Sequence, residues 1–169
     1  MANHLITQLH KIGVVKRGSF ILKSGKKSNL YVDIRKAYGY PNVLKTIAGL
    51  IIKKIPKGAT CIACSGYGGL PLGAVISNKI RKNLTLVRDS AKKHGDSKVI
   101  EGYVPTKDDY IVIVDDIFSS GTGIKMIIQN LKPTNSQILK IIVVVKRGEN
   151  TTKYPLDYIF TEKELKSAV

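Results

Sequence analysis

Two adjacent carboxylates, Asp115 and Asp116, close the β-branched run Tyr110-Ile-Val-Ile-Val114, and the small, hydroxyl-rich stretch Ser119-Ser-Gly-Thr-Gly123 follows them. Two carboxylates this close resist joint ionisation unless hydroxyls, backbone amides or a cation stabilise them. Vicinal sugar hydroxyls would serve, and metal ligation is the rival use. Ser119 to Gly123 offers backbone N–H groups and three hydroxyls, and Ile124-Lys-Met-Ile-Ile-Gln-Asn-Leu131 continues with helical spacing. Free N–H groups at a helix start make an anion site. An acid pair beside a phosphate-sized cradle points to a sugar phosphate. The bland alternative is an ordinary strand-to-helix loop with a capping Ser or Thr. A Walker loop is excluded because its GK[ST] ending is absent, and no dinucleotide fingerprint G-x-G-x-x-G follows a strand.

These residues need a frame, and the apolar pattern supplies one. Leu5, Ile6, Leu9 and Ile12 have helical spacing within residues 3–14. Ser19-Phe-Ile-Leu and Asn29-Leu-Tyr-Val-Asp-Ile-Arg35 read as two strands of a hairpin, joined by the polar turn Lys23 to Ser28. Pro41 suits the first turn of a helix that runs through Val43 to Ile55. Strands then alternate with helices. Thr60 to Cys64 is a strand, Ser65-Gly-Tyr-Gly-Gly-Leu-Pro71 a loop, and a helix reaches Arg81. Leu84 to Val87, Tyr110 to Val114, Ile138 to Val145 and Leu156 to Phe160 are further strands, and Thr161 can cap a short terminal helix. Residues 89–99 are polar and charged with no apolar period. Continuous apolar strands between helices predict an α/β fold with a parallel sheet covered on both faces. Ligands of such sheets sit beyond the carboxyl ends of the strands. Residues 65–71, 115–122 and those after Val145 all leave strand ends of that kind.

The 169 residues, 43% of them hydrophobic, suit one globular domain with a sizeable core. No apolar run reaches the roughly 18 residues that span a bilayer, and the first residues lack a signal-peptide layout. A cytoplasmic protein is expected. The 28 Lys and Arg against 12 Asp and Glu give a net charge of +16, which suits anionic partners. The basic residues are scattered in pairs such as Lys16-Arg17 and Lys92-Lys93, with no basic arm or helix, so nucleic acid is not the expected partner. Cys61 and Cys64 could be a redox pair or half a zinc site. In a strand, however, positions three apart point to opposite faces, and no second Cys/His pair accompanies them.

Val114-Asp-Asp-Ile-Phe-Ser-Ser-Gly-Thr-Gly123 resembles the phosphoribosyl-diphosphate (PRPP) motif of type I phosphoribosyltransferases. Three more segments are similar to the orotate phosphoribosyltransferase branch. Phe20-Ile-Leu-Lys-Ser-Gly-Lys-Lys-Ser-Asn-Leu-Tyr-Val-Asp-Ile-Arg35 resembles its hairpin, F-x-L-x-S-G-x-x-S-P-x-Y-x-D-x-R. Arg88-Asp-Ser-Ala-Lys-Lys-His-Gly95 with Ile100-Glu-Gly102 resembles its mobile loop, and Arg147-Gly148 resembles its late Asp-Arg step. The resemblance covers about residues 10–148. It implies a parallel-sheet core over about 41–148, with a hood of residues 1–40 and the C-terminal part. It implies transfer of ribose 5-phosphate from PRPP to orotate, with Mg²⁺ carried by PRPP and no certain protein ligand. A homodimer is implied, in which the 88–102 loop serves the neighbouring site.

Carried over residue by residue, Asp115 and Asp116 would hold the ribose, and Ser119, Ser120, Gly121, Thr122 and Gly123 the 5′-phosphate. Tyr67, Gly68, Arg88, Lys92 and His94 would face the diphosphate. Lys23, Tyr31, Val32, Ser119 and Arg147 would face orotate, Arg147 meeting its carboxylate. Lys23, Arg88, Lys92 and His94 would carry the catalytic charges. Gly68 and Asp89 stand where the family usually has lysines, Ser90 where it has Glu, Ser119 where it has Thr, Lys146 where it has Asp and Asn29 where it has Pro. A phosphoribosyltransferase for another base and a non-catalytic PRPP-binding regulator remain the alternatives.

Overall fold

The computed structural model describes residues 2–21, 27–89 and 98–167. Helix α1 (Ala2–Lys11) leads into a hairpin of β1 (Val15–Ile21) and β2 (Lys27–Val32). The chain does not extend to Arg35 as a strand: Ile34–Gly39 is a 3₁₀ helix that turns toward the sheet. Helix α2 (Pro41–Ile52) starts on its proline as expected, because the missing N–H is one that a helix start leaves unpaired anyway.

A six-stranded sheet follows in the order β5-β4-β3-β6-β7-β8. Its strands are β3 (Cys61–Ser65), β4 (Asn83–Val87), β5 (Ile100–Gly102), β6 (Tyr110–Phe118), β7 (Gln137–Lys146) and β8 (Leu156–Thr161). All neighbours are parallel except β5, a three-residue antiparallel edge strand beside β4. The sequence offers no apolar signal for β5, since Ile100-Glu-Gly102 is too short to show a period. Helices α3 (Gly66–Ile80), α4 (Thr122–Leu131) and α5 (Glu162–Ser167) complete the fold.

The strands read as unbroken apolar runs because both faces are buried, and their alternation sorts them into two layers. Ile62, Val112, Val114, Ile142 and Val144 pack with Leu5, Leu9, Ile47, Ile51, Leu72, Ile76 and Leu165, from α1, α2, α3 and α5. Cys61, Ala63, Ile111, Ile113, Ile141 and Val143 pack with Ile124, Ile127 and Leu131 of α4. Each large side chain buried stabilises by about 1.5–3 kcal/mol, and a slip of one residue would exchange the two sets.

Helices α1 and α5 meet. His10 Nε2 lies 2.9 Å from the Leu165 carbonyl oxygen. Helix α5 begins with a reciprocal cap: Glu164 N–H donates to Thr161 Oγ1 at 3.2 Å, and Thr161 N–H donates to Glu164 Oε2 at 2.6 Å. No helix among the described residues is long and apolar enough to cross a membrane.

Candidate functional site

Parallel β3, β6 and β7 point their carboxyl ends to one edge of the sheet. Beyond that edge lie the start of α3, the acid pair with its loop, and Arg147. Strand β6 does not stop at Val114; it stays paired with β7 until Phe118 faces Lys146. The acid pair is therefore part of the strand rather than of a loop, which fixes both Cα positions. Asp115 Oδ1 accepts the Asp116 N–H at 2.8 Å, and Asp116 Oδ1 accepts the Ile117 N–H at 2.7 Å.

Burial pushes the Asp116 carboxyl above its ordinary range; the Ile117 and Asp115 bonds and the field of Arg35 oppose the rise without cancelling it. Tyr38, in the 3₁₀ helix, is also buried, and burial reinforced by Asp116 and Asp115 raises its hydroxyl far above the usual range. It stays protonated and donates to the Gly68 carbonyl at 2.7 Å. Arg35 Nε binds Asp33 Oδ1 at 2.8 Å, and Nη2 reaches the Tyr31 hydroxyl at 3.4 Å. Arg35 and Tyr38 have no role in the sequence reading. The pattern Y-x-D-x-R contains Arg35, but only the 3₁₀ turn brings its charge within reach of Asp116.

After Phe118 the chain turns into α4. Gly121 takes a left-handed conformation (φ 76°), and a Cβ there would lie 2.8 Å from both the Phe118 ring and Thr151 Oγ1. Ser120 Oγ and Thr122 Oγ1 are 3.0 Å apart, the Thr122 N–H reaches Ser120 Oγ at 3.5 Å, and the N-cap residue, Gly121, has no side chain to add a cap. Ser119 to Gly123 thus sits at a ten-residue helix start, a cradle for an anion. Gly148 closes against it, since a Cβ there would collide with the Ser119 carbonyl oxygen.

The expected glycine-rich loop at 65–71 is a helix. Helix α3 begins at Gly66, so Tyr67 and Gly68 belong to its first turn. Tyr67 projects outward with 85% of its surface exposed. Gly68 and Gly69 press against the acid pair: added Cβ atoms would lie 2.5 Å from the Asp116 carboxyl and 2.8 Å from the Val114 carbonyl oxygen. On the other side of α3, a cavity of about 310 Å³ is lined by Ser65, Gly66, Leu70, Val87, Arg88 and Asp89. Ser65 Oγ donates to Asp89 Oδ1 at 3.2 Å. Arg88 Nη1 lies 3.1 Å from Glu101 Oε1, which ties the start of the expected loop to β5.

Arg147 follows β7, its N–H bound to the Phe118 carbonyl at 2.8 Å. Its Nε lies 3.2 Å from Glu162 Oε1. Tyr31 packs on Phe20, ring centroids 5.5 Å apart, beside the buried Val32. Lys23, Ser90, Lys92 and His94 lie outside the described residues.

Cys61 and Cys64 are free and buried, and they do not form a site. Cys61 Sγ meets Thr85 Oγ1 at 3.0 Å, whereas Cys64 faces α3, where a Cβ on Gly73 would collide with its sulfur. Burial pushes the two thiols up, Cys61 to about 11 and Cys64 to about 12. Among the described residues no three His, Cys, Asp or Glu converge on a metal position. The acid pair is a donor set that fits Mg²⁺ held chiefly by phosphate oxygens and water.

The phosphoribosyl transferase domain family matches residues 37–165. An orotate phosphoribosyltransferase of Methanocaldococcus jannaschii is 34% identical over 169 residues, with 96% of each chain covered. One from Pyrococcus horikoshii is 35% identical over 152 residues, covering 88% of this chain and 81% of its own. The crystal structure of orotate phosphoribosyltransferase from Aeropyrum pernix superposes with a TM-score of 0.84 at 28% identity, with 96% of each chain covered.

Proposed function

Because this chain belongs to the phosphoribosyl transferase domain family, and within it to the orotate phosphoribosyltransferases, we propose that it transfers ribose 5-phosphate from PRPP to orotate, releasing diphosphate and forming orotidine 5′-phosphate in pyrimidine synthesis. The observation that carries the reading is the meeting, at one sheet edge, of the β6 acid pair, the start of α4 and the glycine-built start of α3.

Asp115 and Asp116 accept the two ribose hydroxyls, and residues 119–123 bind the 5′-phosphate through N–H and hydroxyl donors. The sugar is then held from two sides while its anomeric carbon faces the start of α3. The bond from that carbon to diphosphate breaks as the orotate ring nitrogen bonds to it, through an oxocarbenium-like transition state, and the proton of that nitrogen leaves with the diphosphate. Negative charge gathers on the departing diphosphate, so cations aimed there lower the barrier. Arg88 with Lys92 and His94 supplies them, and the first-turn amides of Tyr67 and Gly68 add donors. Mg²⁺, when bound, neutralises the diphosphate further. Lys23, the Tyr31–Val32 backbone and Ser119 position the pyrimidine, and Arg147 meets its carboxylate. Closure of the 88–102 segment excludes water, which would otherwise attack the sugar. The same proposal includes a hood from residues 1–40 and the C-terminal part, a homodimer sharing that segment, and a cytoplasmic setting.

Loss of orotate absorbance with PRPP and Mg²⁺ tests the reading. Folded protein that binds PRPP yet leaves orotate unchanged while converting uracil or a purine would overturn the choice of base.

A further inference from the structure

We infer that Glu162 is the positioning residue for Arg147, holding one edge of its guanidinium so that the other meets the carboxylate of the base. The inference rests on the reading of Arg147 as the base-carboxylate partner.

The backbone of Arg147 is fixed by its bond to Phe118 and by the close seat of Gly148 on Ser119. Its long side chain still has rotamer entropy to lose before the head group is placed. Glu162 Oε1 stands 3.2 Å from Nε, and both side chains are only 17% exposed. The approach is an ion pair without hydrogen-bond alignment: Nε and Nη2 are both buried and neither has a hydrogen-bond partner. Buried N–H groups without acceptors are costly. A small rotation of the Glu162 carboxylate would satisfy both in the forked geometry that guanidinium and carboxylate share.

The buried Nε–Nη2 edge, whose Nε lies beside Glu162, is assigned to that carboxylate, and Nη1, which does not share its buried and unpartnered state, is assigned to the ligand. Glu162 is itself held. Lys166 Nζ lies 3.8 Å from the same Oε1, one turn along α5. That helix is anchored by the Thr161–Glu164 cap and by the His10 contact to Leu165. A ligand carboxylate settling on Nη1 would draw the guanidinium into its final orientation and align the Glu162 bonds in the same movement. The chemistry recognised is a planar carboxylate on the base. A base without one gains nothing from the pair.

The test compares Glu162→Ala, Glu162→Gln, Glu162→Asp, Arg147→Ala and the Glu162→Ala/Arg147→Ala double variant. KM and calorimetric Kd are measured for orotate and for PRPP, with thermal melting alongside. Glu162→Ala and Glu162→Gln should raise KM for orotate about tenfold, as expected when a binding group is misplaced, while KM for PRPP stays within about twofold. Glu162→Asp should recover part of the loss, and the double variant should be no worse than Arg147→Ala alone. Equal losses for orotate and PRPP, or a double variant clearly worse than Arg147→Ala, would overturn the positioning role. If Arg147→Ala weakens orotate but no Glu162 variant does, the positioning role fails and Arg147 keeps its own. If Arg147→Ala leaves orotate binding intact, the reading beneath it fails.

Discussion

Gly68 and Asp116 occupy one space: a Cβ on Gly68 would stand 2.5 Å from the Asp116 carboxyl carbon and from one of its oxygens. A side chain at position 68 must therefore displace the Asp116 carboxyl from its seat, and the Tyr38 hydroxyl fixes the same spot by donating to the Gly68 carbonyl. Gly68→Ala should force Asp116 off the Ile117 N–H and weaken PRPP binding about tenfold, because the ribose anchor moves by a fraction of an ångström or more. Gly68→Lys should do no better, despite its added charge. Calorimetry with PRPP checks both; tighter binding by Gly68→Lys would show that the carboxyl gives way freely.

In the proposed role, Asp116 binds a ribose hydroxyl most strongly when it is ionised. Burial raises its carboxyl and the Arg35 field partly offsets that rise. PRPP affinity should thus fall, on acidification, at a pH above the ordinary carboxylate range. Arg35→Gln should move that limb further up. The sign for stability is opposite: a raised carboxyl binds its proton more tightly in the folded state, so its contribution to folding weakens as pH rises through the window. Affinity measured against pH for both proteins decides the matter, and superimposable acid limbs would remove Arg35 from the site.

Asp109 carries structural weight away from the site. Burial would raise its carboxyl, but the Thr106 N–H and the Thr60, Tyr103 and Thr106 hydroxyls bind it at 2.7–3.2 Å and hold it below the ordinary range. Its stabilisation is present above the ordinary carboxylate range and is lost as pH falls through the depressed folded value. Asp109→Asn should cost about 2 kcal/mol at neutral pH, typical for bonds to a charged acceptor, and little in acid. Denaturant melts at two pH values measure the difference; an equal cost at both would mean that charge plays no part.

Cys61 and Cys64 should resist thiol reagents in the folded protein and react together on unfolding, since burial raises both thiols to about 11 and 12. Rapid labelling of native protein would contradict their burial. Gly73→Ala should lower stability through its collision with the Cys64 sulfur, and Cys64→Ala should relieve most of that loss.

Much of the donor site was legible because its signals are local. The β-branched run, the acids and the small-residue loop lie within about a dozen positions, and the unbroken apolar run of β6 needs no distant partner to be recognised. The start of α3 reads as a loop in the sequence because three glycines at 66, 68 and 69 argue against a helix on propensity. Packing prevails there: Gly69 and Gly73 are the residues that let α3 lie against Val114 and Cys64. Arg35, Tyr38 and Glu162 were not legible at all. The partner of Tyr38 is 30 residues away and that of Glu162 is 15, so no spacing rule connects them. Strand β5 is defined by its pairing with β4 rather than by its own three residues.

The contact of His10 with Leu165 ties two elements far apart in the chain into one cooperative unit. Leu5 and Leu9 of α1 and Leu165 of α5 bury themselves in a single cluster. Loss of α5 would therefore uncover part of α1 as well, while β3, β6 and β7 keep their pairings with one another. Trimming residues 162–167 should thus speed amide exchange in α1 far more than in the middle of the sheet.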